Sequence, residues 1–284
     1  MLLVRYSSGS CRAREVTRPS SAALGASGES RMIEALLHGK LSHRQENMED
    51  ILTSNVFGLL QYVSPELGLF KFLAEATTCE GDQPLKRLTS DCVVRRDAIE
   101  YEFWPFWAEG NGDAGCEPDV VVFIPCDDAM SYLLGIEAKY RSGKSSEADE
   151  EADCPTDQLA REWHGLVQRA RSRNARPLLV YLTADVNCPK DQIHSSVADC
   201  RKRAACPTEP VIAWLTWRQL SRLFQRAADR HLRDIADLAK KMNLIFFEGI
   251  SPLASIRVDW RFEALAPQWR FEVAPFSCRW RFKP

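Results

Sequence analysis

The sequence predicts an α/β protein. A mixed central sheet is flanked by helices and followed by a C-terminal helical hairpin and a small β meander. Three observations predict this. Apolar residues recur at three- and four-residue spacing over 44–63, the period of an amphipathic helix. Two short apolar runs, Pro118–Pro125 and Tyr132–Tyr140, flank a turn as the arms of an antiparallel hairpin do. An amphipathic segment over Asp157–Arg173 then precedes the apolar run Pro177–Thr183, a helix followed by a buried strand.

Each element has its own justification. The first helix, 44–63, carries Met48, Ile51, Leu52, Val56, Leu59, Leu60 and Val63 on one stripe. A second helix over Pro65–Ala76 starts on a proline, which suits a first turn. Val93-Val94 opens a strand. Ile99–Trp107 reads as another, its aromatics favouring a sheet while Pro105 marks an edge or an end. Gly110–Gly115 is a turn, and a charged loop over 141–155 follows the hairpin. A helix over 190–203 leads to the strand Val211–Leu215. Thr216, with Gln219 three residues on, has the form of a capping box, and helices over 217–227 and 229–242 follow as a hairpin. In the tail, Trp260-Arg261-Phe262 recurs as Trp269-Arg270-Phe271 and Trp280-Arg281-Phe282. Alternating large apolar and charged residues, with Pro267 and Pro275 between the units, predict a three-stranded meander with an arginine face able to meet phosphates.

The 284 residues contain 45% apolar and 27% charged residues, the composition of a globular protein. No run approaches the roughly 18 apolar residues of a membrane helix. Residues 1–30 lack the apolar core of a secretory signal and read as a disordered extension; Met32 is an alternative start. Ten cysteines stand at wide spacings with no Cys-x-x-Cys, so reduced thiols in a cytoplasmic protein are expected, and the tight pair usual in a cysteine-bound cluster is absent. The net charge of -2 hides an asymmetry: residues 1–160 hold 15 Lys/Arg against 27 Asp/Glu, and residues 161–284 hold 22 against 12. An acidic metal site in the first half and a basic substrate face in the second would produce such a split. The domain reading is an extension over 1–30, a core over 31–215 and a helical and β extension over 216–284.

Chemistry concentrates where charge interrupts the hairpin. Asp119 opens one apolar strand, and Glu137 and Lys139 close its partner. Phosphodiester hydrolysis requires an activated water and a cation that absorbs charge on the phosphoryl oxygens. Asp119, Glu137 and the carbonyl of Ala138 offer hard oxygen ligands suited to Mg²⁺ or Mn²⁺. Glu137 and Lys139, two apart on a strand, project to one face, so the ammonium can orient the attacking water; Ala138 faces the core. No phosphate-binding Gly-rich loop is present, and the histidines have no metal-ligand spacing.

Pro118-Asp119 with Glu137-Ala138-Lys139, in this order of elements, resembles the PD-(D/E)xK restriction-endonuclease-like nuclease superfamily. Gly135–Ser145 followed by Asp157-Gln158-Leu159 looks like its stand-alone bacterial members associated with restriction or defence. The resemblance implies a restriction-endonuclease-like sheet and Mg²⁺-dependent hydrolysis of DNA, with a homodimer and a defence-system partner protein as further expectations. It also implies an acidic residue on the first helix, Glu49 or alternatively Glu46 or Asp50, that joins the site and its metal. Gln158 reaches the site from the next helix, with an aromatic such as Trp163 a turn later, and Arg141 and Lys144 contact phosphate. The alternative is a nucleic-acid-binding or partner-binding module of the same fold with little cleavage.

Overall fold

The computed structural model describes residues 48–89, 94, 96–107, 115–127, 130–149, 155–202 and 208–247. The disordered reading of 1–30, Glu46, the tail repeat with Arg261, Arg270 and Arg281, and most of the 110–115 turn lie outside these residues. The chain divides into a unit spanning Met1–Phe246 and a second spanning Phe247–Pro284; the architecture that follows is that of the first.

A five-stranded sheet has the order β1 (Glu100–Phe103), β2 (Val120–Ile124), β3 (Ser131–Ala138), β4 (Ala175–Thr183) and β5 (Ile212–Thr216). β1, β2 and β3 pair antiparallel, whereas β3, β4 and β5 run parallel. The change of direction follows from the connections. A short turn joins β2 to β3, but β3 reaches β4 only through a helix, which returns the chain in the same direction. Among the described residues the helices are α1 (Met48–Leu60), α2 (Leu69–Leu73), α3 (Gln158–Ser172), α4 (Lys190–Lys202), α5 (Arg218–Phe224) and α6 (Arg230–Lys241). Among the described residues, none is long and apolar enough to cross a membrane.

Alternation along the strands builds two cores. Val120, Val122, Leu134, Ile136, Ala138, Val180 and Leu182 face α1, α2, α5 and α6. Val121, Leu133, Leu179 and Tyr181 face α3 and α4, meeting Leu159, Trp163, Leu166 and Ile193. Gly135 sits on this second face of β3, where a Cβ would lie 3.1 Å from Leu179 and 3.4 Å from Leu166. The absent side chain lets α3 settle close against β3, which matters for the site.

Several boundaries differ from the sequence reading, each for a local reason. The 99–107 strand stops at Phe103, because Trp104 adopts a left-handed φ of 50° and Pro105 offers no N–H to a ladder. Val94 bridges Cys126, while Val93 lies outside the described residues. The 65–76 helix contracts to five residues, preceded by turns. The box at Thr216 forms only in part: its hydroxyl accepts the Arg218 N–H at 3.4 Å and donates to the Asp185 carbonyl at 2.7 Å, but Gln219 Oε1 is buried without a hydrogen-bond donor. Asp229 does cap α6, accepting from the Leu232 N–H. Cys126 is disulfide-bonded, which corrects the expectation of uniformly reduced thiols; Cys79 and Cys188 are reduced.

Candidate active site

The β2–β3 register places the acidic residues. Val120 pairs with Ile136, so Asp119, just before β2, lies opposite the end of β3. Its Oδ2 accepts the Ala138 N–H at 2.8 Å. Glu137 and Lys139 lie on the α3 side of the sheet, and Ala138 between them is buried in the opposite core. The Lys139 backbone is held from two sides: its N–H donates to the Leu182 carbonyl at 2.7 Å, and its carbonyl accepts from Trp217 Nε1 at 3.3 Å.

The side chains then meet. Lys139 Nζ is 2.6 Å from Glu137 Oε1 and 3.4 Å from Glu49 Oε1. Asp119, Glu137, Lys139 and Gln158 line one open cavity of about 370 Å³ together with Asp50, Trp104 and Glu117. Gln158, the first residue of α3, donates from Nε2 to Glu137 Oε1 and accepts the Ser145 N–H at 2.7 Å. Gln158 thus locks the Glu137 carboxylate and ties it to the loop after β3.

The first-helix acids divide their tasks. Glu49 reaches Lys139, but its Oε2 is engaged by the Tyr140 N–H at 2.8 Å and the Ser142 hydroxyl at 2.6 Å. Asp50 is the first-helix acid that lines the cavity.

Two expectations about neighbouring residues, Lys144 and Trp163, change. The Lys144 side chain is buried and ion-paired with Asp157, the N-cap of α3; it also donates to Ser196 Oγ at 3.3 Å and the Gln192 carbonyl at 3.4 Å. It braces the loop against α3 and α4 and is not available to a phosphate. Trp163 is buried in the helix-side core, with Nε1 donating to the Thr208 carbonyl at 3.3 Å, and does not line the cavity. The Arg141 guanidinium lies 5.0 Å from the Tyr140 ring centroid.

Sequence reasoning missed Glu162. It is fully buried on α3, one turn after Gln158, with its carboxylate beside that of Glu137. The Gln158, Glu162, Leu166 face runs along β3 because Gly135 admits it. A carboxylate on the same stripe as Leu159 and Leu166 was the available signal. Glu137 Oε2 and Glu162 Oε2 are buried without a hydrogen-bond donor, an arrangement that a proton or a cation would relieve.

Electrostatics follow from this crowding. Burial, then the neighbouring Glu137 charge, pushes Asp119 up to about 8, against the Ala138 N–H and Lys139, which pull it down. Burial raises Glu137 as well, with Lys139 opposing. Glu162 is raised well above the ordinary range by burial and by Glu137. For Lys139 burial favours the neutral amine, but Glu137, Glu49 and Asp119 together outweigh it and hold the ammonium charged.

Among the described residues, no three His, Cys, Asp or Glu side chains are grouped as a preformed ion site. Mg²⁺ does not require one, since it keeps several waters and is commonly held by one or two carboxylates. The donorless Glu137 oxygen and the excess of acids over Lys139 fit a divalent cation held by Asp119 and Glu137.

No protein-family model, curated protein or solved structure matches this chain.

Proposed function

We propose that this chain is a metal-dependent deoxyribonuclease that hydrolyses DNA phosphodiester bonds, in a restriction or phage-defence setting. The observation that carries the reading is the meeting of Asp119, Glu137, Lys139 and Gln158 in one open cavity. Carboxylates facing a polyanion repel it, so a site that only bound nucleic acid would gain nothing from them. With a cation they become ligands.

Asp119 and Glu137 would hold the ion, and Asp50 lines the same cavity. When bound, Mg²⁺ supplies positive charge to the phosphoryl oxygens and makes a bound water more acidic. Lys139, held as an ammonium, is unsuited to act as a base. It donates hydrogen bonds, orienting a water in line with the leaving oxygen and stabilising the charge that grows on the phosphoryl group. Gln158 keeps Glu137 in one rotamer, and Glu49 limits where the Lys139 ammonium can go.

The test is cleavage of linear and supercoiled DNA by the purified chain with Mg²⁺, Mn²⁺ or EDTA, beside Lys139→Ala. Cutting that needs the metal and the lysine supports the reading. Equal cutting by both proteins, or none by wild type under any metal, contradicts it.

A further inference from the structure

Trp104 stands apart from the other tryptophans that the fold positions. Trp107, Trp163 and Trp217 are at most 3% exposed and Trp214 is half-buried, whereas Trp104 is 37% exposed. Its φ of 50° is one that a bulky aromatic rarely adopts. Surrounding structure enforces it. Phe103 is paired with Val120, the Trp104 N–H donates to the Asp119 carbonyl at 3.0 Å, and buried Pro105 follows. Strained backbone of this kind persists where its neighbours over-determine it, and it clusters at functional sites. Here it takes the indole out of the strand alternation and places it in the wall of the cavity that holds Asp119, Glu137, Lys139 and Gln158. The Phe103 ring, 5.6 Å away between centroids, supports it.

The chemistry of the wall narrows what the indole can hold. Asp50, Glu117, Asp119 and Glu137 line the cavity against the single cation Lys139 among the described lining residues. Such a wall does not draw in a polyanion by charge. Stacking on an indole face is indifferent to that charge and to base identity. It requires an accessible base face, which an intact duplex hides between neighbouring pairs.

Building on the nuclease reading, we propose that Trp104 is a stacking platform for an unpaired nucleobase next to the scissile phosphate. The preferred substrate is then single-stranded DNA, or a strand end, in preference to uninterrupted duplex.

The test uses the full chain with Ca²⁺ in place of Mg²⁺. Fluorescence anisotropy measures affinity for a short labelled oligothymidylate, an abasic strand of the same length and the corresponding duplex. Trp104→Ala weakens oligothymidylate binding by about 5- to 150-fold, the range expected for one lost stack, while Trp104→Phe keeps most of the wild-type affinity. The wild type binds the abasic strand and the duplex more weakly than the oligothymidylate, a comparison that needs no variant. Binding of the oligothymidylate by wild type and Trp104→Ala alike would overturn the proposal, as would equal wild-type affinity for all three polymers. Wild type that binds none of them would instead remove the nuclease reading, and this inference with it.

Discussion

Asp119→Asn should make the metal-free protein more stable at pH 8, and by much less at pH 5. The side chain keeps its shape, and the amide oxygen can still accept the Ala138 N–H. What the substitution removes is an acid whose native pKa of about 8 exceeds its ordinary 3.8. Between those values the native state binds the proton and the unfolded chain does not. Its contribution is therefore complete below the ordinary value and is lost as pH rises towards 8. At about 1.4 kcal/mol per pH unit, the interval from pH 5 to pH 8 is worth at most about 4 kcal/mol. Water in the open cavity screens the site, so about 2–4 kcal/mol is the working range. Urea unfolding at a series of pH values in EDTA measures it. Wild type should lose stability towards pH 8 more steeply than Asp119→Asn. Saturating Mg²⁺ should flatten the wild-type dependence, because a bound cation favours the ionised acid. Parallel pH curves for the two proteins in EDTA would refute the claim that Asp119 is buried beside uncompensated charge.

Two further substitutions probe the support of the site. Lys144→Ala leaves Asp157 buried without its cation and should cost about 3–5 kcal/mol, as breaking a buried ion pair does; urea unfolding checks it, and an unchanged midpoint would return Lys144 to the status of a surface residue. Gln158→Leu releases the Glu137 carboxylate and should lower metal-dependent cleavage about 10- to 100-fold, the usual effect of losing a ligand's hydrogen-bond partner. That loss should come with little change in stability, and a similar loss of cleavage caused by unfolding would show in circular dichroism.

The hairpin and its chemistry were the most legible parts of the sequence. Val120–Ile124 and Ser131–Ala138 alternate or run apolar, so the charges at Asp119, Glu137 and Lys139 stand out against them. The α3 stripe and the β4 run were equally plain, because each obeys a single period over many residues. Legibility failed where tertiary contacts decide. Nothing local says that Glu49 is engaged by Tyr140 and Ser142 while Asp50 lines the cavity. Lys144 looks like a loop charge until Asp157, Ser196 and Gln192 surround it. Glu162 is hidden for the opposite reason: a carboxylate on an apolar stripe reads as an exception until Gly135 brings α3 down on Glu137. In the sequence Trp104 is one strand aromatic among several, because its left-handed backbone is imposed by the β1–β2 pairing and by Pro105.

A divalent cation shared by Asp119 and Glu137 beside the Lys139 ammonium would be visible in crystals soaked in Mn²⁺ and measured at its absorption edge. An anomalous peak is expected between the two carboxylates, about 2.0–2.3 Å from an oxygen of each, and it should disappear in Asp119→Asn crystals. A fully occupied Mn²⁺ elsewhere with none at this position, or a peak that survives the substitution unchanged, would contradict it.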